Sequence, residues 1–160
     1  MSQYVATVVW TREGQAFTDN RYSRRHLWQF DGGAEVAASS APSSVPLPYS
    51  DPSAVDPEEA VVAATSSCHM LFFLSFAAKA GFSVDHYEDQ AVGTMGKDER
   101  GKISLIEIVL RPRIQWHGPA PDVEQLADLH HRAHEACYIA NSLRATVRVE
   151  GKLQYVCPSA

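Results

Sequence analysis

Two cysteines in comparable settings carry most of the chemistry this sequence can offer. Cys68 stands in Ser66-Ser67-Cys68-His69, a reactive interruption of an otherwise apolar stretch, and Cys137 closes His134-Glu135-Ala136-Cys137. They lie 69 residues apart, so any pairing between them is tertiary and is not a CxxC redox loop. A thiolate is both a nucleophile and a metal ligand. The nucleophilic reading needs a second group to take up the oxidised sulfur. The metal reading finds ligands at hand: His130 and His134 fall at i and i+4 on one helical face, Cys137 is three residues further, and Cys68 could complete a tetrahedral zinc site. A third class is a non-catalytic dimeric binding module using a pocket of Phe72, Phe73 and Phe76, although aromatics at this spacing are more often core.

The elements that must position these residues are marked by their ends. Asp56-Pro57-Glu58-Glu59 opens a helix: Asp56 caps the free N–H groups, Pro57 suits the first helical position, and the two glutamates favour the positive end of the helix dipole. No charge follows Glu59 until Lys79, and Gly81-Phe82 marks the C-terminus. A helix apolar on every side predicts a buried central element. The uncharged run from Ala60 to Ala78 approaches membrane-spanning length, but Thr65, Ser66, Ser67, His69 and Ser75 argue against a span.

Residues 4–11 and 22–30 read as strands with a turn at Glu13-Gly14, and the pleat puts Arg24, His26, Trp28 and Phe30 on one face. Asp31-Gly32-Gly33 is a turn, and Ala38 to Pro57, rich in Ser, Pro and Ala, is a loop long enough to serve function or a partner subunit. Ser83–Gly96 and Lys102–His117 form a long hairpin with a charged tip. Asp122 starts a second capped helix through Cys137, which continues or restarts at Tyr138, and a hairpin around Gly151 ends the chain. This order predicts a single α+β domain over residues 1–160 with antiparallel sheet.

Composition narrows the partners. A net charge of −5 disfavours nucleic acid or an anionic membrane as the main partner. Three scattered cysteines make no secreted disulfide framework, which points to a reducing cytoplasm, and Cys157 near the C-terminus is expected to be incidental.

Asp56-Pro57-Glu58-Glu59 followed ten residues after Glu58 by Cys68, the Ala78-Lys79-Ala80-Gly81-Phe82 helix end, and the late Ala136-Cys137 together resemble the OsmC/Ohr group of thiol-dependent organic hydroperoxide reductases. The resemblance implies an intertwined homodimer of the OsmC-like fold, with antiparallel sheets wrapped around a buried central helix. It implies that Cys68 attacks the peroxide, that Cys137 resolves the sulfenic acid as a disulfide, and that Glu58 holds an arginine against the site. It implies no bound cofactor or metal; a dihydrolipoyl group or another dithiol would restore the thiols. His69 and Tyr138, each following a cysteine, depart from the family's pattern, so the resemblance does not specify the substrate.

An unperturbed thiol is only about 3% ionised at pH 7, and full ionisation gains at most ~30-fold. An arginine must therefore also stabilise the leaving alkoxide. Arg24, sharing its strand face with His26 and Trp28, is the first choice; Arg12 in the Trp10-Thr11-Arg12-Glu13-Gly14 turn is the second, and Arg25 should point outward. Ten helical residues separate Glu58 from Cys68 by ~15 Å along the axis. A break near Ala64–Ser67 is therefore expected, with a second helix starting near Ser66 and its N-terminus at Cys68.

Overall fold

The computed structural model describes residues 1–150 of the chain; Cys157 and the second strand of the expected final hairpin lie outside them. The architecture is α+β, with strands preceding, separating and following the helices. Two compact units are distinguished, Met1–Ala60 and Val61–Ala160, their boundary falling within the first helix.

In the N-terminal unit β1 (Ala6–Val9), β2 (His26–Phe30) and β3 (Glu35–Ala38) form an antiparallel sheet in that order, with Val8 opposite Trp28 and Trp28 opposite Val36. β3 falls where the sequence pattern gave a turn running toward a loop. β2 starts four residues later than expected, because the backbone before it is engaged elsewhere. Arg24 donates its N–H to the Tyr49 carbonyl at 2.8 Å, and Ser23 receives the Trp10 indole N–H on its carbonyl at 2.9 Å. The long Ser/Pro loop is tied back on the sheet: Val55 donates to Ala37 O and Ser39 to Val55 O, each at 3.0 Å.

α1 (Pro57–Lys79) begins with a reciprocal capping box, Glu59 N donating to Asp56 Oδ1 at 2.8 Å and Asp56 N to Glu59 Oε2 at 3.2 Å. It ends at Gly81, whose φ of +86° lets Phe82 N reach the Ala77 carbonyl. The expected break near Ala64–Ser67 is absent: the helix is continuous over 23 residues. The hydroxyls of Thr65 and Ser66 are satisfied without unwinding, Thr65 Oγ1 bonding back to Val61 O at 2.8 Å and Ser66 Oγ donating to the Asp89 carboxylate. Nor is α1 buried all round. Thr65, His69, Phe73 and Ala77 form one buried stripe at i, i+4 spacing, while Leu71 is 61% exposed. By length and composition alone α1 would also qualify as a membrane span, but its buried Phe73 and Ala77 join a core shared with a strand and a second helix.

The C-terminal unit divides the expected long hairpin between two sheets. β4 (Ser83–Asp89) pairs antiparallel with β7 (Pro112–His117), and β5 (Val92–Lys97) with β6 (Ile103–Leu110). The ladder changes hands where Arg111 N donates to the Asp89 side chain at 2.6 Å and Pro112 has no N–H to give. β8 (Thr146–Val149) joins β6 in parallel, so this sheet is mixed where an antiparallel one was expected. α2 (Val123–Ala136) opens with the Asp122/Gln125 capping box, and α3 (Tyr138–Ser142) restarts after Cys137. Phe73 and Ala77 of α1, Ile114 and Trp116 of β7, and Leu129 and Ala133 of α2 make the core.

Gly93 in β5 lets the strand approach α1 closely: a Cβ there would stand 2.6 Å from Val62 Cγ2 and 3.0 Å from Leu105 Cδ2. Gly93→Ala is expected to cost about 1–3 kcal/mol by overpacking. Gly96→Ala should cost less, because it meets only the flexible tip of Ile106. Urea unfolding of the two variants tests the ranking.

Candidate functional site

The N-terminal unit contains a cavity of about 490 Å³ whose lining includes Trp10, Phe17, Tyr22, Arg24, His26 and Glu58. The three aromatics pack as a cluster, Phe17 stacked on Tyr22 at 4.7 Å and Trp10 edge-on to Tyr22 at 5.3 Å. Arg24 lies with its guanidinium carbon 3.9 Å from the centroid of the Tyr22 ring. It donates to Asn20 O at 2.9 Å, to Asn20 Oδ1 at 2.7 Å and to the Tyr22 carbonyl. Its backbone carbonyl takes the Nδ1–H of His26 at 2.7 Å, a tautomer assigned because Nε2 accepts the Trp28 indole N–H at 2.9 Å. Arg24 and Glu58 thus line one cavity, although no ion pair joins them among the described residues. Arg12 is exposed and reaches Gln15 O, while Arg25 points outward as expected and pairs with Asp51.

In the C-terminal unit the two distant cysteines come together. Both are free thiols, Cys68 half-buried and Cys137 only 1% exposed. Cys137 is the joint between α2 and α3: its N–H donates to His134 O, and its sulfur accepts from Ala140 N at 3.4 Å. Its thiol also faces Thr65 O at 4.0 Å. Burial pushes the Cys137 thiol up to about 11; the Ala140 N–H pulls it down, and the adjoining Cys68 thiol raises it. Because α1 is unbroken, Cys68 stands in mid-helix, and the expected helix N-terminus beside it is absent.

The zinc set does not assemble. His130 turns to His69 instead, Nδ1 to Nε2 at 3.1 Å with rings 12° from parallel, and stacks on Phe73 at 4.4 Å. Among the described residues no three His, Cys, Asp or Glu side chains are placed to hold a metal ion. Of the three aromatics, Phe73 is fully buried in the core, with Phe72 and Phe76 packed against it. Sequence reasoning missed both the histidine pair and the Ser66–Asp89 bond. A histidine in an apolar helix, spaced i+4 from Thr65 and Phe73, was the available sign that His69 faces inward.

Residues 50–152 match the family model described as OsmC-like protein. An OsmC-like protein of unknown function from Vibrio cholerae is 51% identical, with a TM-score of 0.92 over 95% of this chain and 100% of that one. An organic hydroperoxide resistance protein from Elizabethkingia anophelis shares the fold at 20% identity and a TM-score of 0.67, with 94% of each chain covered. The organic hydroperoxide resistance protein OhrB of Bacillus subtilis does so at 18% and 0.63, over 94% of this chain and 98% of that one. No curated protein matches this chain.

The buried histidine pair makes the site acid-sensitive. Burial lowers His69 to about 4 and His130 to about 3, each with a smaller contribution from a neighbouring histidine, against about 6.5 in the unfolded chain. Below pH 6.5 the unfolded state binds protons that the fold refuses, so the stability present above that pH is lost as pH falls through about 4. Urea unfolding at pH 7 and pH 4 should differ by on the order of 3 kcal/mol more in the native protein than in a His69→Leu/His130→Leu double variant.

Proposed function

Since this chain belongs to the OsmC-like protein family, we propose that it reduces organic hydroperoxides with Cys68 as the attacking thiolate and Cys137 as the resolving thiol. The observation that carries this reading is the meeting of two free thiols of unequal character, one half-exposed and one buried. In the first step the Cys68 sulfur takes the terminal peroxide oxygen, the O–O bond breaks, and the alkoxide gains a proton to leave as alcohol. Cys68 is then a sulfenic acid. Cys137 displaces water from it, forming the S–S bond, and an external dithiol such as a dihydrolipoyl group reduces that bond while becoming a disulfide itself.

The unequal burial suits the division of roles. A thiol held at about 11 stays protonated at neutral pH, so Cys137 does not compete for the peroxide and is spent only on the sulfenic acid beside it. Arg24 is proposed to hold the peroxide and the developing alkoxide, the part that the family resemblance gives to an arginine. Glu58, on the same cavity, offsets the arginine's charge when the substrate is absent. The active form is proposed to be a homodimer in the cytoplasm.

Cys68→Ser is expected to abolish consumption of tert-butyl or cumene hydroperoxide, and an unchanged rate would sink the reading. Arg24→Met should lower kcat/KM by about a hundredfold, the size of a lost oxyanion donor, with Arg12→Met and Arg25→Met changing it far less. Disulfide formation should also speed up with pH. Its rate after one equivalent of hydroperoxide, followed by stopped flow between pH 7 and 9, should rise about tenfold per pH unit as the Cys137 thiolate grows.

A further inference from the structure

We propose that Tyr138 is a positioning residue for the resolving step, its ring clasped to Phe72 so that the Cys137 joint stays against Cys68. The inference rests on the two-thiol reading above and adds the residue that governs its second half. Tyr138 is the first residue of α3, directly after Cys137, and it is 70% exposed. An aromatic so exposed is ordinarily mobile, yet its ring meets Phe72 edge-on, centroids 5.1 Å apart and planes at 87°. Phe72 stands four residues after Cys68, its neighbour on the same face of α1. One aromatic contact therefore bridges the residue following one thiol and the residue one turn beyond the other.

Asn141 Nδ2 ties α3 back to α2 by donating to Glu135 O at 3.0 Å, but that bond does not hold the joint against α1. At Cys137 the backbone leaves helical geometry, with φ −69° and ψ 106°. The sulfur is held by weak donors and acceptors, Ala140 N at 3.4 Å and Thr65 O at 4.0 Å. Both must be given up when the sulfur moves onto the sulfenic acid, and α3 must then be kept from swinging away. Upstream, α2 is already fastened to α1 by the Arg132 guanidinium over Phe76 at 4.6 Å. The Tyr138 ring supplies the fastening on the other side.

In the reaction, Cys68–SOH and Cys137–SH become the disulfide and water; the competing path takes a second peroxide oxygen onto Cys68, giving the sulfinic acid and a second alcohol. Tyr138 touches no reacting atom and should leave the first attack unchanged. Mass spectrometry at rising hydroperoxide, with the dithiol present, measures the ratio of doubly oxygenated Cys68 to disulfide.

Tyr138→Ala is expected to raise that ratio about two- to tenfold, the range of a lost aromatic edge contact, at an unaltered rate of peroxide consumption in the first turnover. Tyr138→Phe, which keeps the ring, should restore the native ratio, and Phe72→Leu should reproduce the defect from the other side of the contact. A native ratio in both Tyr138→Ala and Phe72→Leu, in a protein whose wild type does form the 68–137 disulfide, overturns the positioning role alone. Wild-type protein that forms no such disulfide with one equivalent of hydroperoxide overturns the two-thiol reading, and this inference with it.

Discussion

The stripe of Thr65, His69, Phe73 and Ala77 down one side of α1 is the constraint from which the thiol site follows. These four residues bury themselves at the helical repeat, and Phe73 and Ala77 do so against Ile114 and Trp116 of β7 and Leu129 and Ala133 of α2. With that face committed, Cys68 falls at the margin of the stripe, half-exposed, between two residues aimed inward. The stripe also receives the partner: Thr65 O faces the Cys137 thiol, and His69 meets His130 about two turns earlier on α2. Packing that is mainly apolar thus sets the placement of two sulfurs. The polar members of the stripe determine how α2 slides along α1, because a hydrogen-bonded histidine pair has one register where a greasy contact has many.

A second consequence is the asymmetry of the thiols. Both are cysteines near the same helix, but Cys137 lies under the joint of α2 and α3, where water is excluded and the charged form is disfavoured. The Ala140 N–H offsets only part of that penalty. Cys68 keeps a path to solvent. Burial, more than any neighbouring charge, separates the two sulfurs chemically.

Much of this was legible in the sequence, and what was not has physical reasons. Both long helices announce themselves through capping boxes, Asp56 with Glu59 and Asp122 with Gln125, because caps are local and need no tertiary partner. The pairing of two cysteines 69 residues apart was reached through resemblance, since no local rule brings α2 to α1. The helix break was expected so that Glu58 and Cys68 could serve one pocket, and it was placed where Thr and Ser weaken a helix. Thr65 bonds back to Val61 within its own helix, but Ser66 finds its partner in Asp89, 23 residues on, beyond any window of periodicity. The zinc reading failed similarly: i, i+4 spacing puts His130 and His134 on one side of α2, but the spacing does not reveal that His69 claims the first of them.

The parallel placement of β8 beside β6 bears on how the molecule comes to exist. Arg148 of β8 bonds Glu107 of β6 from 41 positions away, and everything between, including β7 and both short-range helical elements, must be laid down before the two can meet. Contacts of such high sequence separation cost loop-closure entropy before they return any stability, so the strand docks late in folding. Cys137 also follows Cys68 by 69 residues, so a chain emerging from synthesis passes through a period in which only the first of the two has been made. During that interval Cys68 is a solitary sulfur with no companion to shield it from mixed disulfides. The nascent protein is chemically more vulnerable than the finished one.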